Sequence, residues 1–268
     1  MAQKIDPLFL DETAKLIDQN LKCVLGLSDM HFDNTSSWNL IPDEDLPSVM
    51  ARVNSGEIDI VEDLGWMPGD VREVTCTDNT KLEWVLTDPS HYELTNPLPN
   101  GKSTCNYVVV LKDRHPTSLA MNSTNTNAGS WESSLMKTQI QPDYVGGIFS
   151  TLPEGFKSIL QSFKVKTATE YNSSSVTTST QKIALFAEKE AFGTNTFSTA
   201  QEAAALTQLN YFKTSSNRIK TVNGSASAWW LRSPFSSNAT TFCLVTTTGS
   251  ATGASASFTY GVCAFGCI

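Results

Sequence analysis

Apolar positions in the first half of the chain follow two rhythms. Leu8, Phe9, Leu16, Ile17 and Leu21, followed by Val24, fit one face of a helix. The segment LPSVMARVNSG predicts a second, short helix, with Pro47 near its start and Gly56 as its stop. The period then changes. VEDLGWMPGDVREVTC predicts a turn at Pro68-Gly69-Asp70 followed by a strand, and KLEWVLTD alternates with Leu82, Trp84 and Leu86 on one side, as its paired strand should. CNYVVVLKD is apolar through its middle and predicts a buried strand.

The central third turns helical. GSWESSLMKTQI offers Ser130 as a helix cap with Glu132 in the first turn, and Trp131 and Leu135 fall at i and i+4 beside Met136. PEGFKSILQSFKVKT places Phe156, Ile159, Leu160 and Phe163 on one helical stripe, which reads as core packing. After the polar loop TEYNSSSVTTSTQK come an apolar run, IALFA, and a helix over EAAALTQL. SASAWWLRSP predicts a strand, and the remainder breaks into the strand pieces TFCLVTT and SFTYGVC separated by Gly- and Ser-rich turns. The order is α+β, with a β-rich C-terminal half and no internal repeat.

Charge narrows the function classes. Only 17% of the 268 residues are charged and the formal net charge is −8, so there is no basic surplus to displace the counterions of a nucleic acid. No apolar run approaches the roughly 18 residues of a spanning helix. The first residues carry charges throughout, without the continuous apolar stretch of a secretory signal. The expectation is a soluble protein made in the cytoplasm, with no membrane insertion. The Asn-x-Ser/Thr triplets at Asn34, Asn122, Asn172, Asn223 and Asn238 carry little weight without secretion.

Candidate chemistry is sparse. The six cysteines, Cys23, Cys76, Cys105, Cys243, Cys263 and Cys267, form no CxxC pair and have no histidine at zinc-ligand spacing, so no metal and no cofactor is expected. GKST at Gly101–Thr104 resembles the end of a phosphate loop, but Asn96 stands where the first glycine belongs, and PNGK reads as a hairpin turn. There is no GxSxG, and His31, His91 and His115 lie in unrelated polar contexts. No catalytic residue is nominated.

Four segments in order carry more information: GDV (Gly69–Val71), NAGSWESSLMK (Asn127–Lys137), ALFAEKEAFG (Ala184–Gly193) and WWLRSP (Trp229–Pro234). A CLVTTTG strand-turn and a terminal GV-aromatic segment follow them. Together they resemble the DUF6273 domains of bacterial and phage proteins, over about residues 50–268, with WWLRSP the most specific piece. Two departures are visible. Lys137 stands where arginine is common, and Cys263-Ala264 replaces the usual Arg-Pro. The resemblance implies a C-type-lectin-like fold, akin to formylglycine-generating enzymes, with short helices around a twisted antiparallel sheet. It also implies a helical extension over residues 1–49, a main domain over 50–268, and a framework held by Trp229, Trp230 and Arg232.

Many members of that family are rewritten by diversity-generating retroelements, which copy a template with errors at adenines. A template codon AAC or AAT randomised at both adenines encodes every amino acid except Lys, Glu, Gln, Met and Trp. From Ser233 to Ile268 the chain contains none of those five. Asp, Arg and His are missing as well, although such codons could write them, whereas roughly a quarter of an average segment is charged. Segment 233–268 therefore reads as diversified, the alternative being a polar low-complexity tail. Its candidate ligand contacts are Phe235, Ser236, Asn238, Thr240, Phe242, Ser250, Thr252, Ser255, Ser257, Phe258, Tyr260, Cys263 and Cys267; any of them could instead be an exposed turn or core residue, Phe242 and Phe258 before the others. The expected function is non-enzymatic binding of a protein or glycan on a target surface, with display on a phage virion or cell surface through a partner. The alternatives are a structural assembly module and, through its cysteines, a formylglycine-generating-type oxidase.

Overall fold

A computed structural model describes residues 37–268; the helix expected around Leu8–Val24 and the residue Cys23 lie outside the described residues. The chain first makes a 3-10 turn at Ser37–Asn39 and the helix α1 (Leu46–Ser55). Pro47 lies in the first turn of α1, and Gly56 ends it in the left-handed region at φ 78°, its N–H returning to the carbonyls of Arg52 and Val53. The buried face of α1 is Leu46, Val49, Met50 and Val53, the i, i+3, i+4, i+7 spacing of a core-facing helix.

This N-terminal piece is bound into the main body. Arg72 donates to the carbonyls of Trp38 (2.6 Å) and Ile41 (2.7 Å) and to the Asp43 carboxylate (2.5 Å). Ser37 donates to the Leu64 carbonyl and accepts from Trp66 Nε1, both at 2.7 Å. Trp38, Trp66, Trp84 and Phe156 form one aromatic cluster. Residues 37–49 thus pack on the main body, and α1 runs across the expected boundary at residue 49/50.

The structure is mixed α+β, mostly sheet with short helices. The strands are β1 (Val71–Thr75), β2 (Lys81–Pro89), β3 (Tyr107–Leu111), β4 (His115–Ala120), β5 (Phe163–Ala168), β6 (Val176–Gln181), β7 (Ile183–Leu185), β8 (Lys220–Val222), β9 (Ser225–Ser227), β10 (Trp229–Pro234), β11 (Thr241–Val245), β12 (Ala251–Ser255), β13 (Thr259–Val262) and β14 (Ala264–Cys267). One five-stranded sheet has the order β1-β2-β3-β14-β7, the other β12-β11-β10-β13-β4; β5-β6 and β8-β9 form two-stranded ribbons. The strands pair antiparallel, except that β10 meets β13 in parallel sense at the single pair Trp229↔Gly261.

The expected β1–β2 pair is present, with Val74 opposite Leu82 and Arg72 opposite Trp84. Its turn is set by Asn79 at φ 68° and by the Asp78 carboxylate, which accepts the Thr80 N–H at 2.9 Å. PNGK is also a turn: Leu98 N–H donates to the Lys102 carbonyl and Gly101 N–H to that of Leu98, both at 2.8 Å.

Several local expectations need correction: the second half of the expected polar loop, Val176–Gln181, is strand β6 paired with β5, and the helix expected over EAAALTQL ends at Ala204. The helix α2 (Leu135–Ile140) is capped by Ser134, whose Oγ accepts the Lys137 N–H at 3.1 Å; Ser130 instead occupies a turn at φ 55°. Trp131 beside that turn is fully buried, and the helix starts only after Ser134. After α3 (Ile148–Thr151), the helix α4 (Glu154–Ile159) stops before Leu160, and Phe163 begins β5. Phe156, Ile159, Leu160 and Phe163 are all buried, so their spacing reported the core correctly and the element wrongly. Finally, ATGAS, expected as a turn, is strand β12, paired with β11 from Thr241↔Ser255 to Val245↔Ala251. Helices α5 (Glu188–Phe192) and α6 (Ala200–Ala204) complete the framework.

Candidate functional site

WWLRSP is β10, and all six of its residues are buried. The indoles of Trp229 and Trp230 donate to the carbonyls of Arg218 and Leu119, each at 2.9 Å, so both large apolar bodies are buried with their polar N–H satisfied. Arg232 points into the interior and is saturated. Its Nη1 donates to Glu190 Oε2 (2.6 Å) and the Leu185 carbonyl (2.6 Å), its Nη2 to Glu190 Oε1 (2.7 Å) and the Lys166 carbonyl (3.2 Å), and its Nε to Thr167 Oγ1 (3.2 Å). Burial works against the charge of Arg232, but the adjoining Glu190 carboxylate outweighs it and holds the guanidinium protonated.

Two further buried carboxyls surround this pair. Glu188 accepts the backbone N–H groups of Thr196, Phe197 and Ser198, which ties down the loop after α5. Glu202 accepts the Ala168 N–H at 2.7 Å and is also bonded by the Ser233 hydroxyl. Burial raises its pKa to about 7, against the lowering effect of these hydrogen bonds. Sequence reasoning missed these glutamates. For Glu188 and Glu190 the signal was the EKE of ALFAEKEAFG, acidic residues set directly after an apolar run; Glu202, in AQEAA, gave none.

The chain from Ser233 onward divides into two populations. Phe242, Cys263 and Cys267 are fully buried and cannot contact a ligand at the surface. Phe242 lies in β11, every residue of which is buried. The two cysteines lie at β14, the strand between β3 and β7, where Phe265 stacks on Tyr92 and Phe186. Burial pushes the Cys263 thiol up to about 11, and raises that of Cys267 too, which also bonds to Cys105. The departure from the family pattern at Cys263 is thus a change within the core.

The other candidates are at least partly exposed. Phe235, Ser236, Asn238 and Thr240 form the turn between β10 and β11, while Ser255 and Ser257 flank the chain where it leaves β12. These two groups share one end of the β11–β12 hairpin, because Thr241 faces Ser255 and Ala256 N–H donates to the Thr240 carbonyl at 2.8 Å. Asn127 fastens that end by donating to the carbonyls of Asn238 (2.9 Å) and Thr241 (2.8 Å). Phe258 stands beside it, 56% exposed. Thr252 lies midway along β12, and Ser250 is in the turn at the opposite end of the hairpin. Tyr260 sits on β13, edge-on to Trp230 at 5.1 Å between ring centroids.

Phe235 is part framework. Its ring stacks on Phe197 at 5.0 Å and occupies the space that a side chain at position 253 would need. A Cβ at Gly253 would lie 2.5 Å from the Phe235 ring and 2.8 Å from Thr241 Cγ2, so glycine is required there for close approach.

A family model described as a domain of unknown function, DUF6273, matches residues 106–264. The chain belongs to the DUF6273 family. No curated protein and no solved structure matches it. The matched DUF6273 region begins just before β3 and ends at the first residue of β14, so β1 and β2 lie outside the match while completing the same sheet. Among the described residues of this DUF6273 protein, no group of three or more His, Cys, Asp or Glu side chains is placed to hold a metal ion, and no helix is long and apolar enough to cross a membrane.

Proposed function

We propose that this DUF6273 protein is a non-enzymatic binding protein with a C-type-lectin-like architecture, whose exposed C-terminal surface is rewritten by retroelement-driven adenine mutagenesis to recognise a protein or glycan on a target. One observation carries the reading: in a segment lacking the five residue types that randomised AAC or AAT codons cannot write, the exposed positions lie on or beside one hairpin, in the turns at its two ends, along β12 and on the adjoining β13. The buried positions of the same segment supply strands to both large sheets. That division suits a rigid scaffold presenting variable contacts. Exposed aromatics among Ser, Thr and Asn suit a paratope-like surface, the rings giving area and the small polar groups adaptable hydrogen bonds. The oxidase alternative draws less support, since Cys263 and Cys267 are buried with thiols held protonated.

The test is genomic. A near-copy of the codons for 233–268 should lie beside a reverse-transcriptase gene, with its adenine differences in the codons of exposed residues such as Asn238, Thr240, Thr252 and Ser257. Absence of such a copy, or adenine differences concentrated at Phe242 and 263–268, would refute diversification of this segment.

A further inference from the structure

The two large sheets end in four strands, β1 and β7 in one and β12 and β4 in the other. Three of these edges are guarded. Along β1, the Glu73 N–H is taken by Asn39 Oδ1 at 2.9 Å, and Arg72 and Glu73 bring charge. On β7, which is buried, the Ile183 carbonyl accepts Gln141 Nε2 (2.5 Å) and the Leu185 carbonyl accepts Arg232 Nη1 (2.6 Å). On β4, Pro116 has no N–H to offer, and Arg114 Nη1 covers the carbonyls of His115 (2.9 Å) and Pro116 (3.2 Å). Prolines, charges and covering side chains are the usual means of preventing a sheet from growing at its edge.

β12 has none of these. Its five residues, Ala251-Thr252-Gly253-Ala254-Ser255, include no proline and no charge, and all are partly exposed. The hydrogen-bond phase shows which backbone groups face outward. Thr246 N–H donates to the Ser250 carbonyl and Ala256 N–H to that of Thr240, both at 2.8 Å, so Leu244↔Thr252 and Phe242↔Ala254 are the bonded pairs with β11. The N–H and C=O groups of Ala251 and Gly253, and the N–H of Ser255, therefore point away from the sheet; the Ser255 carbonyl is used by the Phe258 N–H at 2.9 Å. Exposed Phe258 stands at the Ser255 end, and candidate contacts Thr252 and Ser255 lie on the strand itself.

The geometry points to β12 as a docking rail for an extended polypeptide segment of the target, added as a sixth strand beside it. This rests on the binding function proposed above and names its partner class. Alternating donors and acceptors about 7 Å apart match the repeat of an extended peptide, a pattern that a glycan does not reproduce. Backbone groups also survive side-chain rewriting. The rail stays constant while Thr252, Ser255, Phe258 and the neighbouring turn select which strand docks. Continuity with those contacts favours a foreign strand over a second copy of this chain.

The probe is a displayed library of random linear twelve-residue peptides, panned on the whole chain, with the best binder synthesised. Its binding should slow amide exchange at Ala251, Gly253 and Ser255 at least tenfold. N-methylation of alternate peptide amides, or Ala251→Pro in the protein, should weaken Kd at least tenfold. Ala251→Pro removes an outward N–H and leaves the β11 pairs intact, and amide exchange in the unaltered protein decides the matter even if that variant misfolds. Recovery of no peptide, binders that leave these amides unprotected, recognition confined to a glycan array, or sedimentation showing that β12 is already paired with a second copy would each overturn the proposal. The reading it rests on is tested separately. Exchanging the side chains at 236, 238, 240, 257 and 258 should change which peptides are recovered; unchanged selection would count against the variable surface while leaving the rail standing.

Discussion

Arg232 and Glu190 face each other in full burial, the guanidinium forked onto both carboxylate oxygens at 2.6 and 2.7 Å. The pair joins β10 to α5, and Arg232 also bonds the carbonyls of Leu185 and Lys166, so a single side chain ties the WWLRSP strand to β7 and β5. Replacing Arg232 by Met takes away the cationic partner of buried Glu190 and leaves its carboxyl only the Ala187 N–H among these donors. The expected loss is about 3–5 kcal/mol in urea denaturation. Arg232→Met with Glu190→Leu should recover a large part of it, and a double variant no more stable than the single one would show that the ion pair is not what the strand depends on.

Glu202 gives a pH signature. Folding raises its pKa to about 7 by burial, so the folded state holds that proton more tightly than the unfolded chain. Stability is then lost as pH rises from the unfolded value near 4.3 toward 7, and the cost is complete above that. Against Glu202→Gln, the wild type should lose about 3 kcal/mol between pH 4.5 and 7.5. His115, whose pKa burial lowers to about 4, contributes with the opposite sign and cancels in this comparison. Parallel stability-versus-pH curves for the two proteins would contradict the assignment.

Gly253 and Phe235 should behave as a coupled pair. Gly253→Ala places a methyl 2.5 Å from the Phe235 ring and should cost about 1–3 kcal/mol by overpacking. Phe235→Ala removes the obstacle, so the double variant should lose less than the sum of the two single losses. Additive losses would mean that the ring does not control position 253.

The two populations of the tail should separate on a melting curve. Phe242→Ala is expected to cost about 3–5 kcal/mol. Substituting Asn238, Thr240, Ser257 and Phe258 together should cost about 1–2 kcal/mol, because what is lost is exposed: the bonds from Thr240 to Asn238 Oδ1 and from Ser257 to Asn125 Oδ1. Global unfolding of the fourfold variant would remove the case for a tolerant surface.

The sequence showed the framework where periodicity and turn chemistry agreed. Helix α1, the β1–β2 pair and the WWLRSP strand all emerged, and the alternation of Leu82, Trp84 and Leu86 identified the buried face of β2. It failed where tertiary pairing overrode local preference. Ala251–Ser255 has little intrinsic strand character and becomes β12 through its ladder with β11. The stripe from Phe156 to Phe163 fits a helix, yet Phe163 pairs with Gln181 in a ribbon. Of the candidate contacts, the turn residues were readable because Ser, Asn and Thr cluster there. Phe242 is buried, as the sequence already allowed, and Cys263 and Cys267 are buried with it; small and aromatic residues occur on both sides of a surface and did not separate them. The buried glutamates were invisible for a related reason: a carboxylate is expected outside unless its partners are known.

The position of β14 has a consequence for any rewriting of the segment before it. β3 and β7 are neighbours only through this strand, which follows the exposed turns of segment 233–260 in the chain. A frameshift or premature stop between residues 235 and 260 would delete it and leave the first sheet in two pieces. If segment 233–268 is rewritten as proposed, a truncated copy would lose the fold of the first sheet together with its contacts.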